Sequence, residues 1–227
     1  MDKSNNDHFD VFAKVTRERR SIRSFKKQPV PQAVLEEIFS LAQLAPSGCN
    51  TQPWLTYVVS GAARDRLSEG LIAVAREQRR SVDIPHTNPY HGVFKDRQYD
   101  AARQVYGVLG IPREDKAGRF DAFLRNYDFF GAPHVAIVCL PAWGGIREAA
   151  DLGMYAQTLM LAITAHGLGS CPQAALGTFS DVIREQLDIP ADHKVLFGVS
   201  FGYPDDAPVN AVRISRATLA ESTRFVS

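Results

Sequence analysis

Cysteine is scarce in this chain: Cys49, Cys139 and Cys171 are the only three among 227 residues. An odd, widely spaced set fits neither a disulfide framework nor a Cys-x-x-Cys metal site. The six histidines, His8, His86, His91, His134, His166 and His193, lack a His-Glu-x-x-His pattern or other metal spacing, so no metal is expected. Long apolar runs are missing too. The stretch from Leu159 to Ala165 is far short of the ~20 residues that span a bilayer. The polar start, Met1-Asp2-Lys3-Ser4-Asn5-Asn6-Asp7, has no apolar core of a secretory signal. Nor is there an excess of one charge: 26 basic against 25 acidic side chains leave +1, with a pI near 7.8. That balance removes the basic field of a nucleic-acid binder. The expectation is a cytoplasmic protein with neither membrane nor nucleic acid as partner.

A hydrophobic content of 45% supports a sizeable core, and one domain over 1–227 is the simpler division. Apolar periodicity predicts a helix over about 9–18 through Phe9, Phe12 and Val15. Val30-Pro31 opens a second, striped by Val34, Leu35, Ile38, Leu41, Ala42 and Ala45 and ended by Pro46. A strand over 55–59 and a helix from Ala62 to about Arg80 follow. The pattern weakens over 85–130, where aromatics are dense: Tyr90, Phe94, Tyr99, Tyr106, Phe120, Phe123, Tyr127, Phe129 and Phe130. This segment reads as an insertion that covers something. Beyond it come a buried strand over 134–140, a helix over about 147–166, a short helix capped by Ser180, and a strand over 194–201. The long helix is apolar in nearly every direction, which places it mid-core or in a subunit interface. Strands separated by helices leave α+β and α/β open.

Chemistry concentrates in short segments. Arg19-Arg20-Ser21-Ile22-Arg23 packs three guanidinium groups and a hydroxyl into five residues. A phosphate dianion takes several such charge-assisted donors at once, although a solvated basic helix end is the other reading. Ala45-Pro46-Ser47-Gly48-Cys49-Asn50-Thr51-Gln52-Pro53-Trp54 is a polar turn between helix and strand, where ligands are gripped or helices simply stop. Two further segments are Gly167-Leu168-Gly169-Ser170-Cys171-Pro172-Gln173-Ala174-Ala175 and Phe197-Gly198-Val199-Ser200-Phe201-Gly202-Tyr203-Pro204. The first opens like a dinucleotide fingerprint, but it follows a helix and has Pro172 where the third glycine belongs. The second spells Gly-x-Ser-x-Gly, yet no histidine follows Ser200, so the hydrolase order fails. Cys171 reads as a small buried residue, not a nucleophile.

In this order and separation, the four segments resemble the nitroreductase family of FMN flavoenzymes over Arg19 to about Arg216. The resemblance implies an α+β fold, a mixed central β-sheet flanked by helices, in an intertwined homodimer with two FMN sites at the interface. It puts Arg19 and Ser21 on the FMN phosphate, Arg20 on the phosphate or ribityl chain, and Arg23 beneath the N1 and C2 carbonyl edge. A fixed cation there stabilises the negative charge of reduced flavin. Pro46, Ser47, Gly48 and Asn50 would reach the ring and ribityl chain from the partner subunit. Pro172, Gln173, Ala174 and Ala175 form the loop whose backbone N–H groups, at Ala174 or Ala175, face the N5 and O4 edge. Arg216 is carried to the phosphate, with Arg213 as the alternative, because Thr218 stands where the family has proline. Gln52 stays open between site and scaffold, and Trp54 is assigned to the core.

The implied activity is NAD(P)H-dependent reduction of nitroaromatic compounds, nitro to nitroso to hydroxylamine, by a ping-pong mechanism. The flavin carries that chemistry, so no catalytic side chain is named. Within the insertion, residues 110–116 and 126–133 resemble bacterial members that reduce nitrobenzene and nitrobenzoate, which makes 85–130 an expected substrate lid. Quinone or enone reduction on the same scaffold is the rival, and a non-catalytic flavin-binding protein is a third reading.

Overall fold

The computed structural model describes residues 3–85 and 89–227. His86 and a small part of the expected lid lie outside the described residues. The helices are α1 (Lys3–Glu18), α2 (Gln32–Ala42), α3 (Gly61–Arg76), α4 (Gly92–Val108), α5 (Lys116–Leu124), α6 (Ile146–Ala165), α7 (Ser180–Leu187) and α8 (Leu219–Ser222). The strands are β1 (Leu55–Ser60), β2 (His134–Pro141), β3 (Gly169–Gln173) and β4 (His193–Gly202). They form a four-stranded sheet in the order β1-β2-β4-β3, each neighbouring pair antiparallel. Among the described residues parallel pairing is confined to isolated bridges, Ser21 with Ser170 and Ser81 with Phe179.

The sheet is covered on both faces. Val135, Ile137 and Cys139 of β2 pack with Leu67 and Leu71 of α3 and Ile183 of α7. Ala136 of the same strand packs with Ile38 of α2 and Tyr155, Leu159 and Ile163 of α6. Both alternating sets are therefore buried, which is why β2 reads as one uninterrupted apolar run. Trp54, assigned to the core, is half-buried and stacks on Tyr155 at 4.9 Å.

Several boundaries and one element differ from the sequence reading. α3 stops at Arg76, and Gln78 follows with φ at 55°, a left-handed turn that ends the expected helix early. The loop expected after Gly167 contains β3, whose Gly-Ser-Cys-Pro-Gln sequence has little strand propensity and is held extended by pairing with β4. Ser180 is the first residue of α7, not its cap, and its hydroxyl donates to the Gly177 carbonyl at 3.1 Å. α6 buries Leu152, Tyr155, Ala156, Leu159, Met160 and Ile163, whereas Met154 is exposed and Leu161 only half-covered. The stripe of α1 faces outward, with Phe9 and Phe12 exposed.

The insertion folds as α4 and α5. α4 buries none of its residues, and Tyr90, Phe94, Tyr99 and Phe123 are exposed. Tyr127, Phe129 and Phe130 belong instead to the core. Buried Arg64 fixes this re-entry: Nε donates to the Ala132 carbonyl at 3.1 Å, Nη2 to Asp128 Oδ1 at 2.8 Å, and the guanidinium lies 5.0 Å from the Phe129 ring centre. Such a cation, hydrogen-bonded on several sides, tolerates burial.

Candidate functional site

β3 is an edge strand, and the basic segment leaving α1 runs along its outer side. Ser21 bridges Ser170, and the Ile22 N–H donates to the Ser170 carbonyl at 2.9 Å. The approach is close: a Cβ on Gly169 would sit 2.6 Å from Ile22 Cγ1. Only glycine admits it.

This pairing gathers charge. Arg19 and Arg20 follow the end of α1 and are half-buried. The pKa of Arg19 is lowered by burial and by the neighbouring Arg216 cation, and that of Arg20 by burial and by Arg213. Both C-terminal arginines proposed from sequence thus reach the cluster. Their guanidiniums bond only backbone carbonyls: Arg20 to Asn210 and Glu18, Arg23 to Ser21, Arg213 to Asn210 and Ala211, Arg216 to Ile214 and Ser215. Among the described residues none of Arg19, Arg20, Arg23, Arg213 and Arg216 has a carboxylate ion pair. Glu18 is the carboxylate that acts on Arg20, without an ion pair, so the cluster keeps an excess of positive charge that an anion could balance.

Asn210, which carried no sequence signal, organises the cluster. Buried to 5% exposure, it accepts from the Arg23 N–H at 2.8 Å on Oδ1 and from Arg20 Nε at 2.9 Å on its carbonyl. Its Nδ2 donates to the Ser24 carbonyl at 2.8 Å. Cys171 lies beside Ser21, Arg19 and Arg23, yet burial pushes its thiol up to about 11, which removes it as a nucleophile at neutral pH.

At the end of β3, Pro172 and Ala174 are exposed and Ala175 half-covered, whereas the Gln173 side chain turns inward. Gln173 Nε2 donates to the Asn126 carbonyl at 2.8 Å, and its Oε1 accepts from the Ser200 hydroxyl. Only the backbone of Gln173 is left for a ligand. The same bond buries Ser200 inside β4, so its Gly-x-Ser-x-Gly is a core strand and not a nucleophile elbow. Arg125, just after α5, donates from Nη2 to the Arg23 carbonyl at 3.0 Å and fastens the insertion to the cluster.

Pro46, Ser47, Gly48 and Asn50 lie elsewhere. Their turn leads into β1, the opposite edge of the sheet from β3, about 14 Å away across three strand spacings. The Gly48 N–H donates to Asp151 Oδ2 of α6 at 3.2 Å, and the Ser47 hydroxyl accepts from the Gln52 N–H at 2.9 Å. Cys49, Asn50 and Gln52 all have positive φ, between 48° and 56°. Such conformations persist where surrounding contacts over-determine them. One chain therefore joins Arg19, Arg20, Ser21, Arg23, residues 172–175, Arg213 and Arg216, and keeps the 46–50 turn apart.

A sequence profile of the nitroreductase family matches residues 16–203. The chain is 47% identical over 209 residues to the nitroreductase NfnB of Mycolicibacterium smegmatis, covering 91% of this chain and 89% of that protein. It is 32% identical over 219 residues to a 4-nitrobenzoate reductase of Pseudomonas putida, covering 96% of each. Its fold is similar to the crystal structure of the FMN-dependent nitroreductase NfnB from Mycobacterium smegmatis in complex with NADPH, at a TM-score of 0.94 and 44% identity over 96% of this chain and 99% of that one. With the profile spanning most of the chain and the basic segment paired to β3 within it, this protein belongs to the nitroreductase family.

Proposed function

We propose that the chain is an FMN-dependent NADPH nitroreductase that reduces small nitroaromatic compounds. The observation that carries this reading is the set of guanidiniums around Arg19 and Arg216, none of which has a carboxylate ion pair among the described residues. A dianionic phosphate is the counter-ion that such a donor set fits. Arg19, Ser21 and Arg216 hold that phosphate, with Arg20 and Arg213 beside it. Arg23 would supply a cation to the ring of the bound flavin, and the Ala174 and Ala175 N–H groups would be donors to its edge. FMN, when bound, supplies the two-electron chemistry that links NADPH oxidation to nitro reduction in alternating half-reactions. The residues of the chain orient the ring, place a cation near its charge and exclude water.

Two observations support a homodimer with shared sites. The 46–50 turn is exposed and conformationally fixed, yet too far from the basic cluster of its own chain to serve the same ligand. In addition, Val11, Phe12 and Leu41 line an open apolar groove of about 480 Å³ between α1 and α6, a surface suited to a second copy. Pro46, Ser47, Gly48 and Asn50 then complete the site of the partner. The chain is one domain whose exposed α4 and half-buried α5 act as the lid. Its three cysteines are free, which accords with a cytoplasmic protein, and no described helix is long and apolar enough to cross a membrane.

The test is steady-state NADPH oxidation by FMN-loaded protein with nitrobenzene, 4-nitrobenzoate, menadione and an enone as acceptors. Turnover greatest with the nitroarenes is expected. Preference for the quinone or enone transfers the reading to those acceptors, and no turnover with any acceptor leaves a flavin-binding protein.

A further inference from the structure

α4, α5 and the turn between them line a half-open cavity of about 660 Å³ that shares no lining residue with the basic cluster. Tyr99, Ala102, Tyr106, Ile111 and Pro112 give it an apolar floor, and charged groups form its rim. Asp100 is already occupied, accepting from Arg103 at 2.5 Å and from Gln104 at 2.7 Å. Arg113 and Arg119 have no carboxylate partner among the described residues. Arg119 is held in place, its guanidinium 4.1 Å from the Tyr106 ring centre. The remaining carboxylate, Asp96, stands three residues before Tyr99, near the start of α4, while Arg113 precedes α5 and Arg119 lies on it. An anion is thus favoured at the α5 side and disfavoured at the Asp96 side.

We propose that this cavity selects planar arenes bearing a carboxylate, the anion on Arg113 and Arg119 and the ring on the floor beside Tyr99. A guanidinium fork matches a carboxylate in plane and charge, and an apolar floor with few convergent polar groups is the usual form of a small-molecule site. The cavity is also tied to the flavin region. Arg119 precedes Arg125 by six residues, about 9 Å of helical rise, and Arg125 is bonded to the Arg23 carbonyl. Naming the bound arene as the acceptor rests on the nitroreductase reading; the binding site itself does not.

Binding is read by fluorine NMR with 4-fluorobenzoate and its neutral counterpart 4-fluorobenzamide, on wild type, Arg113→Gln, Arg119→Gln and the remote control Arg79→Gln. Wild type and control should prefer the carboxylate by about tenfold, and either cavity variant should lose most of that preference. Equal affinity for both probes in wild type, or a preference that survives both cavity variants, overturns the site. Tighter displacement of the probe by adenosine 2′-phosphate than by 4-nitrobenzoate also overturns it, assigning the cavity to the reductant. A second readout is the ratio of kcat/KM for 4-nitrobenzoate over 4-nitrobenzamide. It should fall about tenfold in the cavity variants and stay constant in Arg79→Gln. An unmoved ratio overturns the acceptor role. Absence of turnover with both nitroarenes, alongside arginine-dependent 4-fluorobenzoate binding, sinks the nitroreductase reading and leaves the site standing.

Discussion

The Ile22 N–H and the Ser170 carbonyl meet at 2.9 Å, and this bond sets where the basic segment lies on the sheet. Because Gly169 is the residue that permits the approach, Gly169→Ala should push Ile22 outward. The added methyl would fall 2.6 Å from Ile22 Cγ1, an overpacking that costs about 1–3 kcal/mol. Urea unfolding reads that loss, and flavin titration should show weaker FMN binding in the same variant. An unchanged midpoint would mean that the segment is not held by this contact.

Removing a cation should act oppositely on the free and loaded protein. In the free protein burial, and then repulsion from Arg216, disfavour the charged form of Arg19. Arg19→Ala should therefore leave the unfolding temperature of the flavin-free protein unchanged or raise it. The same change should weaken FMN binding by about tenfold or more, the scale of a charge-assisted hydrogen bond. Thermal melts with and without FMN separate the two effects.

Asn210→Ala should be destabilising with and without FMN. It leaves the Arg23 N–H without its acceptor and the Ser24 carbonyl without its donor, at a cost of about 1–3 kcal/mol each when buried. Asn210→Asp keeps the acceptor but sets a carboxylate oxygen where Nδ2 lies 3.2 Å from Asp205 Oδ1, so near neutral pH it should be at least as destabilising as Asn210→Ala. A clearly smaller loss in Asn210→Asp would show that the acceptor for the Arg23 N–H outweighs repulsion from Asp205.

His134 makes stability depend on pH. The Val30 N–H donates to its Nε2 at 2.9 Å, so the ring is neutral with its proton on Nδ1, toward the Ser60 hydroxyl. Burial lowers its pKa below the ordinary value of about 6.5. The unfolded chain then binds the proton first, so stability present above about pH 6.5 is lost as pH falls through the lower folded-state value. Urea midpoints measured from about pH 7.5 to 5.5 should decline in wild type, and the decline should be shallower in His134→Gln. A parallel decline in both proteins would assign the effect elsewhere.

What was legible in the sequence was whatever depends on local pattern. The apolar run of β2, the stripe of α2 (apart from exposed Leu41 and the helix end, which comes at Ala42 before Pro46) and the arginines before Val30 could be read because period, burial and charge are written in neighbouring residues. β3 could not be read, since its extended form comes from pairing with β4, far along the chain. Asn210 was equally silent: its bonds reach residues about 190 positions away as well as its own neighbourhood, and nothing local marks it. The insertion was half legible. Its aromatic density was plain, but the division between exposed Tyr99 and buried Tyr127 depends on where Arg64 draws the chain back into the core.

Sharing of one flavin between two chains can be measured by co-expression. Ser47→Ala/Asn50→Ala and Arg19→Ala/Arg216→Ala chains carry different affinity tags, and the heterodimer is isolated through both. Each homodimer should bind FMN poorly. The heterodimer joins the intact arginines of one chain to the intact turn of the other, so it should bind tightly at half the wild-type stoichiometry. Failure to regain any tight site would place both residue sets in separate pockets and remove the shared flavin.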